Sequence, residues 1–181
     1  ELFVNLFKKF SSRKLLHEKF PRIPFDEAML KYGSDKPDLR NPLEIADITE
    51  IFKRDDVNFD IFKKLVNKGS IVRGIKTKNT SEKARSFFDG IDKWAKEEGS
   101  SGLAYFSIEG SDRLQAKGPV GKFFSEQSLK EIMTKMNAEV GDTIFMSCGN
   151  KSEVEKLLSN ARNKIANELN LIDENVFSFC W

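Results

Sequence analysis

Apolar residues recur along this chain at two spacings, and the two spacings separate helices from strands. Leu2, Phe3, Leu6, Phe7 and Phe10 share one face within residues 1–20, with Lys8 and Lys9 opposite. They predict an amphipathic helix, better suited to packing on a core than to lying on a membrane. Ala84, Phe87, Phe88, Ile91 and Trp94 fall at i, i+3, i+4, i+7 and i+10 and predict a helix ended by Gly99. Leu129, Ile132, Met133 and Met136 mark another. Val154, Leu157, Leu158, Ala161, Ile165 and Leu169 mark a long one. Ser152 with Glu155, and Asp47 with Glu50, have the spacing of capping boxes. Strand-like runs cover residues 58–62, 71–76, 103–108, 114–117 and 143–147. Turns are expected at Gly110–Asp112 and at Gly141-Asp142. This order predicts an α+β fold: a two-layer sandwich whose mostly antiparallel sheet is covered by helices on one face, with a helical N-terminal flank.

Composition narrows the setting. The 181 residues carry the apolar and charged fractions of a soluble globular protein. No apolar run approaches the roughly 18 residues that a membrane span needs. No signal-peptide pattern is present, and no membrane partner is expected. The chain opens at Glu1 within a helical pattern, which suggests an excised piece of a longer protein. Cys148 and Cys180 are the only cysteines and share no ligand-like spacing, so neither a disulfide framework nor a zinc site is expected, and a cytoplasmic setting fits. His17 has no second histidine to work with.

The net charge of +2 does not by itself announce a nucleic-acid partner. Its distribution is more informative. Between Asp60 and Arg85 eight basic residues (Lys63, Lys64, Lys68, Arg73, Lys76, Lys78, Lys83, Arg85) face two acids (Asp60, Glu82), and eight minus two leaves +6. Such a segment can track a phosphate backbone or can be a solvated face. Arg73, Lys76 and Lys78 lie on or just after a predicted strand, where they are expected to share one rim, and are the candidate backbone contacts. The segment from Gly118 to Phe124 invites a phosphate-loop reading but fails it. Ala116 stands where the first glycine is required, and Phe123 where a hydroxyl must hold Mg²⁺. No Ser/His/Asp or Cys/His set, metal cluster or nucleotide loop emerges, so no catalytic, cofactor or metal residue is assigned.

One stretch is far more specific than the rest. After a helix opened by Pro24 with Asp26 and Glu27 in its first turn, Gly33 stops the helix. A stiff charged loop of alternating sign follows, from Ser34 to Arg40, with Pro37 at its middle. The segment Tyr32–Arg40, read YGSDKPDLR, resembles at every position the one that follows motif 2 in bacterial-type aspartyl-tRNA synthetases, class II ligases. Pro24 departs from the Ser or Thr usual there. In that family a large insertion follows, and IVRGIKTKN, LAYFSIEG, KGPVGKFF and GDTIFMSCG resemble the successive signatures of that insertion, the GAD domain. Gly121 departs from the family's usual Ala. The GAD domain also occurs in tRNA-dependent amidotransferases.

The resemblance implies an organisation: residues 1–42 as a flank of the synthetase catalytic domain, 43–172 as the GAD-like insertion, and 173–181 as the return segment. It implies that the parent enzyme joins aspartate to tRNA with ATP and Mg²⁺, and that the parent is a homodimer. The module itself would be non-catalytic and cofactor-free, near the tRNA acceptor stem, and joined to the remainder of the synthetase chain. Lys36, Asp38 and Arg40 would form a loop on the rim of the catalytic domain. The alternatives are a GAD domain of an amidotransferase and a non-enzymatic interaction domain. The Tyr32–Arg40 match favours the synthetase.

Overall fold

Two long strands form the centre of the sheet. The computed structural model describes residues 1–110 and 113–181. β3 (Ile71–Thr77) and β6 (Thr143–Gly149) pair antiparallel along their whole lengths, from Ile71 opposite Gly149 to Thr77 opposite Thr143. β2 (Ile45–Asp47) adds to the free side of β3, β4 (Ala104–Glu109) to that of β6, and β5 (Gln115–Lys117) to β4. The order is β2-β3-β6-β4-β5, with every neighbour antiparallel. The expected turn at Gly110–Asp112 includes Ser111 and Asp112, which lie outside the described residues.

The expected α+β class and antiparallel sheet are present, but the layers number three rather than two. Successive residues of a strand point to opposite faces, and here both sets are apolar. Val72, Phe106, Ile108, Ile144 and Met146 join a core with α3 (Asp60–Val66), α5 (Glu126–Met136) and the 3₁₀ turn Thr49–Lys53. Ile75 and Phe145 join a second core with α4 (Arg85–Glu97) and α6 (Lys151–Glu168). A sheet buried on both faces needs helices on both faces.

Three local expectations are corrected. Residues 58–62 do not form a strand; they lead into α3, where Phe59 and Phe62 stack with ring centroids 4.3 Å apart. Ser152 is no cap, because α6 begins one residue earlier after Asn150, and Glu155 turns inward. Asp47 accepts from the Thr49 amide at 2.9 Å but precedes only the 3₁₀ turn. Ser125 does cap a helix: its hydroxyl accepts from the Ser128 amide at 3.0 Å and starts α5. Gly121 has no room for a Cβ, which would stand 2.2 Å from the Ala116 carbonyl oxygen.

The chain ends meet. α1 (Leu2–Phe10) and β1 (Lys14–Leu15) precede α2 (Phe25–Tyr32), and β7 (Val176–Phe177) pairs parallel with β1. Phe7 sits 4.9 Å from Phe177 and 4.6 Å from Phe179, so the two ends pack on each other.

Candidate functional site

The three candidate backbone contacts do not share a rim. Arg73 and Lys76 are three residues apart on β3, an odd step, so their side chains leave opposite faces of the sheet. Arg73 faces α6 and is buried, with 5% of its surface exposed. Its guanidinium donates to Glu155 at 2.9 Å and to the Met29 carbonyl at 3.3 Å. A buried, paired arginine has no face to offer a phosphate, and Arg73 is removed from the candidate contacts. It ties α2, β3 and α6 together instead.

Lys76 leaves the other face and donates to the Asn137 carbonyl, just past the end of α5, at 2.7 Å. Lys78 is exposed on the loop that follows β3. Both line a cleft of about 720 Å³ together with Lys83 and Lys135. Among the described residues Glu44 is the only acid in its lining. The floor is apolar, with Leu43, Ile45, Met136 and Leu169 among its residues. Lys135 lies far outside the basic segment read from the sequence, and only the fold brings it beside Lys78. Four ammonium groups around one concavity set a positive potential suited to a polyanion.

The loop carrying Lys78 and Lys83 is held from beneath. Asp142, buried, accepts from the Asn79 amide at 2.9 Å and from the Glu139 amide at 3.0 Å. The Thr77 and Thr80 hydroxyls lie 2.6 Å apart. The Ser81 amide donates to the Gly141 carbonyl at 2.9 Å. Asn79 takes a left-handed backbone, φ 52°, which an Asn tolerates.

Lys36, Asp38 and Arg40 lie on a different side, against the C-terminal half of α6. Arg40 grips Asp38 bidentately at 3.0 and 2.7 Å, and that hydrogen-bonded guanidinium holds the Asp38 carboxyl below its usual range. Lys36 is exposed and pairs with Asp35 at 2.9 Å. Beneath the loop, Arg162 of α6 is 2% exposed and donates to the carbonyls of Asp38 (2.8 Å), Asn41 (2.6 Å) and Leu43 (2.5 Å). It also lies 4.9 Å from the Tyr32 ring. Burial pulls its guanidinium below its ordinary pKa. Asn41 returns a bond to the Arg162 carbonyl at 3.0 Å. Gly33, with φ 66°, lies so close to α6 that a Cβ would stand 2.5 Å from the Glu155 carbonyl oxygen. The sequence did carry a signal for Arg162: it occupies an i+4 position on the stripe from Leu158 to Ile165, where an apolar residue is expected.

Among the described residues no group of three His, Cys, Asp or Glu could hold a metal ion. Gly118 to Phe124 forms a strand exit and the 3₁₀ turn Gly121–Phe123, not a phosphate cradle. His17 is exposed. Burial pushes the Cys148 thiol up to about 11, which suits an inert thiol rather than a nucleophile. Among the described residues no helix is long and apolar enough to cross a membrane.

Comparison with known proteins gives a consistent result. Residues 62–158 match the GAD domain. Over 181 residues the chain is 66% identical to an aspartate–tRNA(Asp/Asn) ligase of Pelagibacter ubique, covering all of this chain and 30% of that protein. It is 46% identical over 176 residues to a ligase of the same name from Beijerinckia indica, covering 97% of this chain and 30% of that protein. A Rickettsia bellii ligase, again of that name, is 47% identical over 176 residues, with 97% of this chain and 29% of the relative covered. The chain thus spans about 30% of the length of the curated relatives it matches.

Proposed function

The chain belongs to the GAD domain family, and from that premise we propose that it is the insertion-bearing part of an aspartate–tRNA ligase, non-catalytic by itself and set beside the acceptor stem of the tRNA. The observation that carries this reading is the 66% identity across all 181 residues, flanks included, to a ligase of that name. An amidotransferase origin would leave Tyr32–Arg40 without a reason. Here that segment, with Asn41 just after it, is a clamp: Gly33 lies close against the α6 backbone, and Asp38 and Asn41 are fastened to α6 through Arg162. It would fix how the module sits on the catalytic domain, with Lys36, Asp38 and Arg40 facing the shared rim.

The whole enzyme would work in the cytoplasm as a homodimer and use ATP with Mg²⁺, bound by residues outside this chain. Lys76 and Lys78 remain as proposed contacts to the tRNA backbone, through phosphates rather than base edges, because side chains cannot read the deep groove of an A-form stem.

The test is a segment exchange. This chain replaces the matching segment of the Pelagibacter ubique ligase, and aspartylation is measured beside the chain alone. The hybrid is expected to charge tRNA, and the chain alone to show no aspartate-dependent pyrophosphate exchange. A folded hybrid that cannot charge, or exchange by the chain alone, overturns the reading.

A further inference from the structure

The loop from Lys78 to Ala84 is a ridge with a cleft on each side. One side is the lysine cleft already described. On the other, Ser81, Glu82, Lys83, Arg85, Tyr105 and Lys117 help to line a second cleft of about 610 Å³, where among the described residues Glu82 is the one acid against three cations. Lys83 lines both. Between Lys78 and Ser86 the residues Lys78, Asn79, Glu82, Lys83, Ala84, Arg85 and Ser86 are all exposed. An exposed loop of this length is ordinarily loose. This one is fixed by the buried Asp142 carboxylate, the Thr77–Thr80 hydroxyl pair and the Ser81–Gly141 backbone bond. Such a clasp, Asp142 above all, fixes an outer surface whose side chains make little use of it within the chain. Among the described residues Lys78, Lys83 and Lys135 form no ion pair, whereas Lys117 pairs with Glu109 at 3.0 Å and Arg85 with Asp89 at 3.4 Å.

We propose that the Asp142-clasped ridge joins the two clefts into one cationic track, with Lys83 at its crest, and that the track takes the sugar–phosphate backbone of an RNA stem. This rests on the reading of the chain as part of a tRNA ligase, and it adds Lys83, Lys135, Arg85 and Lys117 to Lys76 and Lys78. The three unpaired lysines meet the backbone first, and Arg85 and Lys117 exchange weak surface carboxylate partners for phosphates. Pre-fixing the loop removes the ordering cost that a mobile basic loop would incur on binding. The apolar floor of the lysine cleft lies below the ammonium groups and suits the sugar edge of a strand seated on them. Asp142 is a positioning residue: it touches the two amides that shape the loops and no ligand.

The experiment titrates a short RNA hairpin stem against the whole chain at two salt concentrations. The variants are Lys83→Glu, Lys135→Glu and, as a control, Lys68→Glu. Lys68 belongs to the same +6 segment, but neither cleft includes it. All three positions are exposed, and circular dichroism melts are expected to coincide with the native chain. Lys83→Glu and Lys135→Glu are expected to weaken binding about tenfold each and to lower the salt slope by roughly one per lost contact. Lys68→Glu is expected to stay within about twofold of the native chain. Equal weakening by all three would mean diffuse attraction and overturn the track. Poly-glutamate of matched charge that displaces the stem as well as a second stem does would overturn RNA in favour of an acidic protein segment. The two readings fail separately: the segment exchange reports charging of tRNA and this titration reports RNA contact, so either result can stand without the other.

Discussion

Among the described residues Arg73 and Arg162 are the buried cations, and each has partners at hand, although the Arg73 Nε makes no hydrogen bond. Arg73 meets Glu155, and Arg162 meets a set of backbone carbonyls. A buried ion pair adds little net stability, but removing one partner strands the other charge. Glu155→Ala is therefore expected to cost about 3–5 kcal/mol, read from a urea denaturation midpoint. Glu155→Ala combined with Arg73→Met is expected to recover most of that loss, because neither charge of the pair is left stranded. If the double variant is as unstable as the single one, the ion pair is not the cause. Cys148 gives a residue-scale prediction of another kind. With its thiol pushed up to about 11 by burial, only about a thousandth is thiolate at pH 8. Alkylation of Cys148 in the folded chain is expected to be far slower than in urea, followed by mass spectrometry of its peptide. The linkage has a definite sign. Folding favours the neutral thiol, so this contribution is complete below the unfolded pKa near 8.5 and is lost as pH rises toward about 11.

At the scale of elements, helix α4 was largely legible. Phe88 and Ile91 are buried on the stripe that the spacing predicts, with Phe87 and Trp94 half-buried, whereas Ala84 is the exposed residue that precedes the helix and Ala95 is a buried position outside the predicted set; Phe88 stacks on Tyr105 at 4.6 Å. Phe88→Ala is expected to cost about 3–5 kcal/mol, and an unchanged denaturation midpoint would place Phe88 outside the core. Strands β3, β4, β5 and β6 were legible for the same reason: short apolar runs bounded by turns. What the sequence hid is instructive. α3 begins in an aromatic-rich run, and Phe59, Ile61 and Phe62 satisfy a strand template as well as a helical one over so few residues. The third layer was hidden because a strand buried on both faces has no alternation to reveal which residues face which helix. The same blindness put Arg73 and Lys76 on one rim. Their separation by an odd number of residues was available in the sequence and rules it out. Lys135 and Asp142 were invisible because only the return of β6 beside β3 brings them to the Lys78 loop. The charged loop was legible as a stiff turn, but its anchor, Arg162, stands more than a hundred residues away. Asp38 adds an acid-side expectation. Its carboxyl is held low in the fold by Arg40, so its contribution is present above the unfolded pKa and is lost as pH falls through the folded one.

Across the whole molecule, stability is unevenly distributed. Both large cores are built from residues between Leu43 and Ile172. The unit made by the two ends has no fully buried residue in α1, and Leu2 and Phe10 stay 77% and 74% exposed. Its contacts are aromatic edges and a two-residue parallel ladder: Phe7 on Phe177 and Phe179, Phe20 on Phe179, and Phe3 on Trp181. A pair of two-residue strands with one side open to water opens locally at little cost, whereas the β3–β6 ladder opens only with the whole sheet. Hydrogen exchange should separate the two. The amides of Lys14, Leu16, Ile23 and Trp181, all bonded across the two ends, are expected to exchange orders of magnitude faster than those of Ile75 and Phe145. Trimming residues 1–20 removes one side of the aromatic cluster and none of either core. It should leave the main unfolding midpoint within about 0.5 kcal/mol of the intact chain, as for surface changes away from the core. If the trimmed chain loses several kcal/mol, or the end amides are protected as strongly as β3, the ends are part of the cooperative fold. The division between a self-sufficient three-layer body and a loosely held flank would then have to be abandoned.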